Sequence, residues 1–107
     1  KNIQIEGIFT HFPLADTDRK FTGRQIDSFG RLVEALKKAG IKLPLVHAAN
    51  SIGLINHTDS HFTMVRPGLV IYGLRPVKNP GLNLKPALSL KPRIVFVKKI
   101  GAGSGIS

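Results

Sequence analysis

Two apolar runs that each end on small and polar residues constrain the fold of this chain most strongly. The first run occupies residues 45–51 and closes with Asn50 and Ser51, while the second occupies residues 64–73 and contains Arg66 before a Pro-Gly pair. Such runs are typical of strands in a parallel sheet, whose ends present backbone N–H groups and short side chains. The sequence therefore predicts an anion-binding edge formed by these two strand ends.

A long amphipathic helix is predicted over residues 22–39. Thr22 and Gln25 have the spacing of a capping box, and Gly40 follows as the residue that ends the helix. Apolar residues recur every three or four positions and define one face that would pack on a sheet. The members of this face are Ile26, Phe29, Leu32, Val33 and Leu36.

The order of the remaining elements indicates an α/β fold. A β-prone run at residues 7–12, ended by Pro13, precedes the helix, and a second strand is predicted at residues 43–49. A short helix capped by Ser51 should cover residues 51–56, followed by a third strand end at residues 64–66. This alternation predicts parallel strands joined by right-handed crossovers, which would bring His11, Asn50 and Arg66 to one edge of the sheet.

The character of the sequence changes after residue 75. Residues 76–87 are rich in proline and glycine and have no periodicity, so they are predicted to be a linker. Residues 88–100 alternate like a β-strand, which suggests that residues 88–107 open a second, β-rich domain. The chain starts without methionine and without a signal peptide, and we therefore expect residues 1–75 to be cut from within a longer domain.

Composition limits the classes of partner. The formal charge of +10, from 16 basic and 6 acidic side chains, raises the possibility of nucleic-acid binding. One tyrosine, no tryptophan and basic runs of only two residues give poor support for a base-stacking surface, so we expect no nucleic-acid partner. The chain has no cysteine and no apolar run near the roughly 18 residues of a membrane span. These features predict a cytoplasmic protein without a membrane anchor.

Each polar residue at the strand ends also has a purely structural interpretation. Ser51 could serve only as a helix cap, and the Pro-Gly pair after Arg66 could be only a turn. His11 and His47 could be hydrogen-bonded, half-buried residues, and no pattern of ligands indicates a metal site. Arg66 is harder to explain in this way, because a rigid cation at an apolar strand end needs a partner such as a carboxylate or a ring nitrogen.

Four motifs in this chain resemble those of alanine racemases, in the same order and with similar spacing. They are Gly-Ile-Phe-Thr-His-Phe at residues 7–12, Val-His-Ala-Ala-Asn-Ser at 46–51, Met-Val-Arg-Pro-Gly at 64–68 with Tyr-Gly-Leu at 72–74, and Pro-Ala-Leu-Ser-Leu-Lys at 86–91. The resemblance covers nearly the whole chain. It implies the last three βα units of a (β/α)8 TIM-type barrel, followed by the start of a C-terminal β domain.

The resemblance also implies an activity and a set of partners. The parent protein would interconvert L-alanine and D-alanine through a pyridoxal 5'-phosphate aldimine by proton transfer between two bases, and would supply D-alanine for peptidoglycan. It would act as a homodimer whose active site is completed by the partner subunit. Another amino-acid racemase on the same barrel, such as a serine racemase, and a non-catalytic basic binding module remain as alternatives.

Roles for individual residues follow from the same resemblance. Arg66 would contact the pyridine nitrogen of the cofactor, and His11 would link Arg66 to the catalytic tyrosine. The family's Schiff-base lysine would lie before Lys1 and its tyrosine after Ser107, so we expect the segment alone to be inactive. The phosphate would be bound by Ser51 and by the N–H groups of Gly68 and Leu69, with His47 and Asn50 as supporting residues.

Overall fold

Strands and helices alternate in the first sixty residues of the chain, and the two strands form one small parallel sheet. The computed structural model describes residues 2–78 and 81–105. The elements are β1 (Gly7–Phe9), α1 (Arg19–Lys38), β2 (Leu45–His47), α2 (Ser51–Asn56) and a 3-10 helix, η1 (Thr58–Ser60). β1 pairs in parallel with β2, and Met64 adds a parallel bridge to His47. The predicted α/β class with parallel strands is therefore confirmed.

The strands are shorter than predicted, because isolated backbone hydrogen bonds and side-chain contacts take the place of regular strand pairing at their ends. β1 covers only part of residues 7–12, although the Thr10 N–H still donates to the His47 carbonyl at 3.2 Å. On the other edge of β2, the N–H of Val46 donates to the hydroxyl of Thr63 at 2.7 Å. The Thr63 N–H in turn donates to the Val46 carbonyl at 3.0 Å. Residues 64–66 thus contribute a single bridge rather than a full strand.

The long helix begins one turn before its predicted start. Its N-cap is Asp18, whose carboxylate accepts from the Phe21 N–H at 2.8 Å, so the prediction of a Thr22–Gln25 capping box is wrong. Thr22 lies inside the first turns, fully buried, and its hydroxyl donates to the Asp18 carbonyl at 2.8 Å. The C-terminal end agrees with the prediction: Gly40 follows the cap with a φ of +80°.

α1 packs on the sheet through part of its predicted apolar face. Leu32 is 48% exposed, so its assignment to the packed face is wrong, and Leu36 is half-buried. Phe29 also meets Phe62 edge to face, with ring centroids 5.2 Å apart. The packed face of α1 covers Val46, the central residue of β2. The buried core consists of Phe12, Ala15, Ile26, Phe29, Val33, Val46 and Ala48.

The segment after residue 74 does not contain the predicted strand. Residues 88–100 have no regular secondary structure and no paired neighbour among the described residues, and Leu88, Val95 and Phe96 are each more than three-quarters exposed. A strand needs a partner for its backbone groups, and no described segment supplies one. Residues 69–74, whose conformation the sequence left open, form a series of turns. The linker at 76–87 and the domain at 88–107 stay predictions; residues 79, 80, 106 and 107 lie outside the described residues.

We expect the N-cap of α1 to be important for stability. Replacing Asp18 with alanine removes the acceptor of the Phe21 N–H and should lower the free energy of unfolding by about 1 kcal/mol. Urea denaturation measures this loss. Asp16→Ala is the matched control, since the Asp16 side chain accepts only a 3.5 Å contact from its neighbour Thr17. Equal losses in both variants would contradict the assignment of the cap.

Candidate functional site

The predicted site residues line one pocket at the ends of the strands. The pocket has a volume of about 280 Å³ and lies where β1, β2 and the segment after Met64 come together. Every residue proposed from the sequence for this site contributes to its wall except His47. Ile52 is an additional lining residue that the sequence did not single out. The complete lining consists of His11, Asn50, Ser51, Ile52, Arg66, Gly68 and Leu69.

Arg66 is held by acceptors from two neighbouring strands. Its Nη2 donates to the carbonyl of Thr10, beyond the end of β1, at 2.9 Å and more weakly to the Ala48 carbonyl, beyond the end of β2, at 3.4 Å. Its Nη1 makes a short hydrogen bond to Nδ1 of His47. The parallel register brings these acceptors to one place. The guanidinium plane is therefore fixed before any ligand binds.

Two aromatic rings add to the positioning of Arg66. The Phe9 and His47 rings stack in parallel, with centroids 5.3 Å apart and an interplanar angle of 3°. The guanidinium carbon of Arg66 lies 5.6 Å from the centroid of Phe9, within the range of a cation–π interaction. Sequence reasoning missed Phe9. The signal was available, since alternate residues of a strand share a face and Phe9 lies two positions before His11.

His47 is kept neutral by its surroundings. Burial and then the positive charge of Arg66 lower the pKa of His47 from its ordinary value of 6.5. A neutral imidazole has one unprotonated nitrogen, and here Nδ1 serves as the acceptor for Arg66. His11 is placed farther away, with its Nδ1 3.5 Å from Nη2 of Arg66, at the limit of a hydrogen bond. The two histidines thus differ in how they contact the same guanidinium.

Ser51 links α2 to the turn that follows Arg66. Its hydroxyl oxygen accepts from the N–H of Gly68 at 2.9 Å and, more weakly, from the N–H of Val70 at 3.4 Å. The prediction that Ser51 caps α2 is wrong, because Asn50 performs this role. The Asn50 side-chain oxygen accepts from the N–H groups of Ile52 and Gly53 at 3.0 and 2.9 Å. The Ser51 hydroxyl is therefore free of the helix and faces the turn.

The chemistry of the pocket suits a ligand rich in hydrogen-bond acceptors. Its wall carries a hydroxyl, backbone N–H groups and a guanidinium, and no carboxylate is among the residues that line it. Gly68 has open space where a side chain would stand, and the described part of the chain offers no acceptor to the Leu69 N–H. A phosphate fits this donor set at Ser51, Gly68 and Leu69, and an unprotonated ring nitrogen fits it at Arg66.

Two further features limit the chemistry of the described residues. No group of three or more histidine, aspartate or glutamate side chains within 2–78 and 81–105 is arranged to hold a metal ion. Across the same ranges, no helix combines the length and the apolar character that crossing a bilayer requires. The arrangement at the pocket can bind and orient an anionic ligand, with Arg66 as its cation.

We expect the contact between His47 and Arg66 to make stability depend on pH. Because the pKa of His47 is lowered in the folded state, the unfolded chain binds more protons just below pH 6.5. The contribution of His47 should be complete above pH 6.5 and be lost as the pH falls toward its lower folded value. The unfolding free energy, measured from pH 5 to 8, should decline less steeply on the acid side for His47→Gln. Identical profiles for both proteins would contradict this assignment.

Comparison with known proteins places the chain in a family. The sequence model for "Alanine racemase, N-terminal domain" matches residues 1–76. A curated alanine racemase from Methanococcus maripaludis is 41% identical over 111 residues, an alignment that covers 100% of this chain and 30% of the relative. The chain thus spans about a third or less of the length of the relatives it matches.

Solved structures of the same family share the fold of the chain. An alanine racemase from Clostridium difficile 630, in complex with cycloserine, superimposes with a TM-score of 0.72 at 33% identity, covering 78% of this chain and 23% of that one. The alanine racemase from Bacillus anthracis with bound L-Ala-P gives a TM-score of 0.67 at 32% identity, with the same coverage of both chains. The family model covers well over half of the sequence, and the chain belongs to the alanine racemase family.

Proposed function

We propose that this chain is the cofactor-binding segment of a pyridoxal-phosphate-dependent racemase that interconverts L-alanine and D-alanine. Within that protein it would form the last three βα units of a (β/α)8 barrel and the opening of a C-terminal β domain. The observation that carries the proposal is the single pocket where Ser51, Gly68 and Leu69 meet Arg66. The family membership of the chain and the names of its relatives support the choice of reaction.

The phosphate end of the ligand would lie against Ser51 and the turn after Arg66. The Ser51 hydroxyl already accepts from the Gly68 N–H, so its proton remains available for donation to a phosphate oxygen. The Leu69 N–H, which has no acceptor within the described residues, would donate as well. Such hydrogen bonds to a charged acceptor are short and strong compared with those between neutral groups.

The ring end of the ligand would lie against Arg66. When bound, pyridoxal phosphate supplies an electron-withdrawing ring that makes the Cα proton of an amino acid removable. An arginine keeps its charge and only donates, so its partner nitrogen would stay unprotonated, which weakens the electron sink. The contacts to Thr10 and His47 would hold the guanidinium in one orientation toward that nitrogen.

Proton transfer itself would be carried out by groups from elsewhere in the full-length protein. The lysine and the tyrosine that the family uses would belong to other parts of that protein. His11, whose Nδ1 lies 3.5 Å from Nη2 of Arg66, would connect Arg66 to that tyrosine. Asn50 would support the site from the cap of α2, where its side chain already receives two N–H groups. The chain thus supplies the residues that bind and orient the cofactor.

The cellular role follows from the product. D-alanine is a building block of peptidoglycan, and we place the parent protein in the cytoplasm, where this precursor is made. It would function as a homodimer, with the partner subunit completing the active site, and without nucleic-acid partners. The net charge of +10 is spread along the chain. Basic side chains do not cluster at the pocket, where Arg66 is the one cation among the lining residues.

The first test of this function is activity. The full-length protein, loaded with pyridoxal phosphate, should convert L-alanine to D-alanine, detected by a D-amino-acid-specific coupled assay. A panel that includes L-serine would identify a different substrate preference, since the residues lining the described pocket would contact the cofactor rather than the substrate side chain. Absence of racemisation with every amino acid would contradict the proposal.

The second test concerns the phosphate. Ser51→Ala removes a hydroxyl expected to bond a charged oxygen, which is worth roughly 1.5–3 kcal/mol. The dissociation constant of pyridoxal phosphate should therefore rise by roughly tenfold to a hundredfold, measured by absorbance titration of the apoenzyme. Ser28→Ala is the control, because Ser28 is exposed on α1 and its hydroxyl accepts a hydrogen bond from Arg31, away from the pocket. An unchanged affinity in Ser51→Ala would exclude Ser51 from the site.

A further inference from the structure

We infer that Gly73 is a positioning residue that fixes the phosphate-binding turn by clamping it to the segment 85–87. This inference rests on the proposed function, because it assigns Gly73 an effect on the affinity for the phosphate group. Gly73 lines no part of the pocket. It acts through the turn that runs from Gly68 to Leu74 and through the backbone of Lys85 and Pro86, which lies against it.

The backbone at Gly73 admits no other residue without a change of structure. Gly73 is buried and has a φ of +74°, in the left-handed region that favours glycine. The carbonyl oxygen of Lys85 occupies the place that a Cβ at this position would take, and the nitrogen of Pro86 lies only 2.7 Å from that place. Both neighbours are backbone atoms, so neither can move away by a change of side-chain rotamer.

Gly73 is connected to the proposed phosphate site through consecutive hydrogen bonds. Its N–H donates to the Val70 carbonyl at 3.0 Å, and the Leu74 N–H donates to the Leu69 carbonyl at 3.0 Å. The Val70 N–H reaches the Ser51 hydroxyl at 3.4 Å, and the Gly68 N–H reaches the same oxygen at 2.9 Å. Displacement of Gly73 would therefore shift the turn that orders the Ser51 hydroxyl and carries the Leu69 N–H, the two donors proposed to meet the phosphate.

The segment after Lys85 is attached to the turn at a second point. The N–H of Ala87 donates to the carbonyl of Tyr72 at 3.0 Å, directly beside the close approach at Gly73. Together the two contacts hold three consecutive residues of the linker against one peptide of the turn. Residues 85–87 thus brace the turn without lining the pocket.

Binding by the full-length apoenzyme tests this inference with two ligands. Gly73→Ala should lower the affinity for pyridoxal phosphate by roughly tenfold or more, since a displaced turn loses a hydrogen bond to the charged group. Pyridoxal, which lacks the phosphate, should bind with unchanged affinity. Gly81→Ala is the matched control: Gly81 also has a positive φ, of +67°, but open space where its Cβ would stand. It should leave the affinity for both ligands unchanged.

The outcomes separate this inference from the proposed function. No binding of pyridoxal phosphate by the wild-type protein would refute the function itself, and this inference with it. If the wild type binds normally, two results would overturn the inference alone. One is an equal loss of affinity for pyridoxal and pyridoxal phosphate in Gly73→Ala. The other is an equally large loss of affinity in Gly81→Ala. If Gly73→Ala does not fold, Ala87→Pro decides, because it removes the N–H that reaches Tyr72. That variant should show the same selective loss of phosphate affinity, and unchanged binding of both ligands would overturn the inference.

Discussion

The hydrogen bonds that hold Arg66 are the interaction on which the rest of the site depends. They require carbonyl groups from two strands to lie side by side, and only the parallel register of β1 and β2 provides this. The register in turn depends on a close approach at Gly7, where a Cβ would collide with the backbone of Leu45. The long helix α1 packs on this sheet and buries Val46 of β2 together with its own Ile26, Phe29 and Val33. The position of Arg66 therefore depends on the sheet and on the helix that packs against it.

Much of the fold can be predicted from the sequence, because its strongest signals are periodic. Ile26, Phe29 and Val33 follow helical spacing and do face the sheet, and Gly40 ends α1 as its type suggests. The alternation of strands and helices is enough to infer parallel pairing. Errors concentrate at boundaries, where several residues can perform the same local role. Asp18 and Asn50 are the N-cap residues in place of the predicted Thr22 and Ser51, because their side chains accept from the free N–H groups at the helix starts.

The site shows a similar division. The residue types of Ser51, Gly68 and Arg66 indicate anion binding from the sequence, and the structure brings them to one pocket. The stacking of Phe9 on His47 depends on the pairing of two strands across the sheet, and this is not encoded in any local pattern. The clamp at Gly73 likewise depends on a contact outside any local pattern, with Lys85 and Pro86. For the apolar run 88–100, the sequence pattern predicts a strand that the structure does not contain, because β-propensity produces a strand only where another strand pairs with it.

The bond between the Ser51 hydroxyl and the Gly68 N–H has a consequence for the entropy of ligand binding. It means that the donors of the pocket are ordered by one another while no ligand is present. Association then needs little loss of conformational freedom in the turn, because its backbone is already confined. An anion bound at the proposed site would add acceptors to an ordered turn, and less of its interaction free energy would be lost to ordering the backbone.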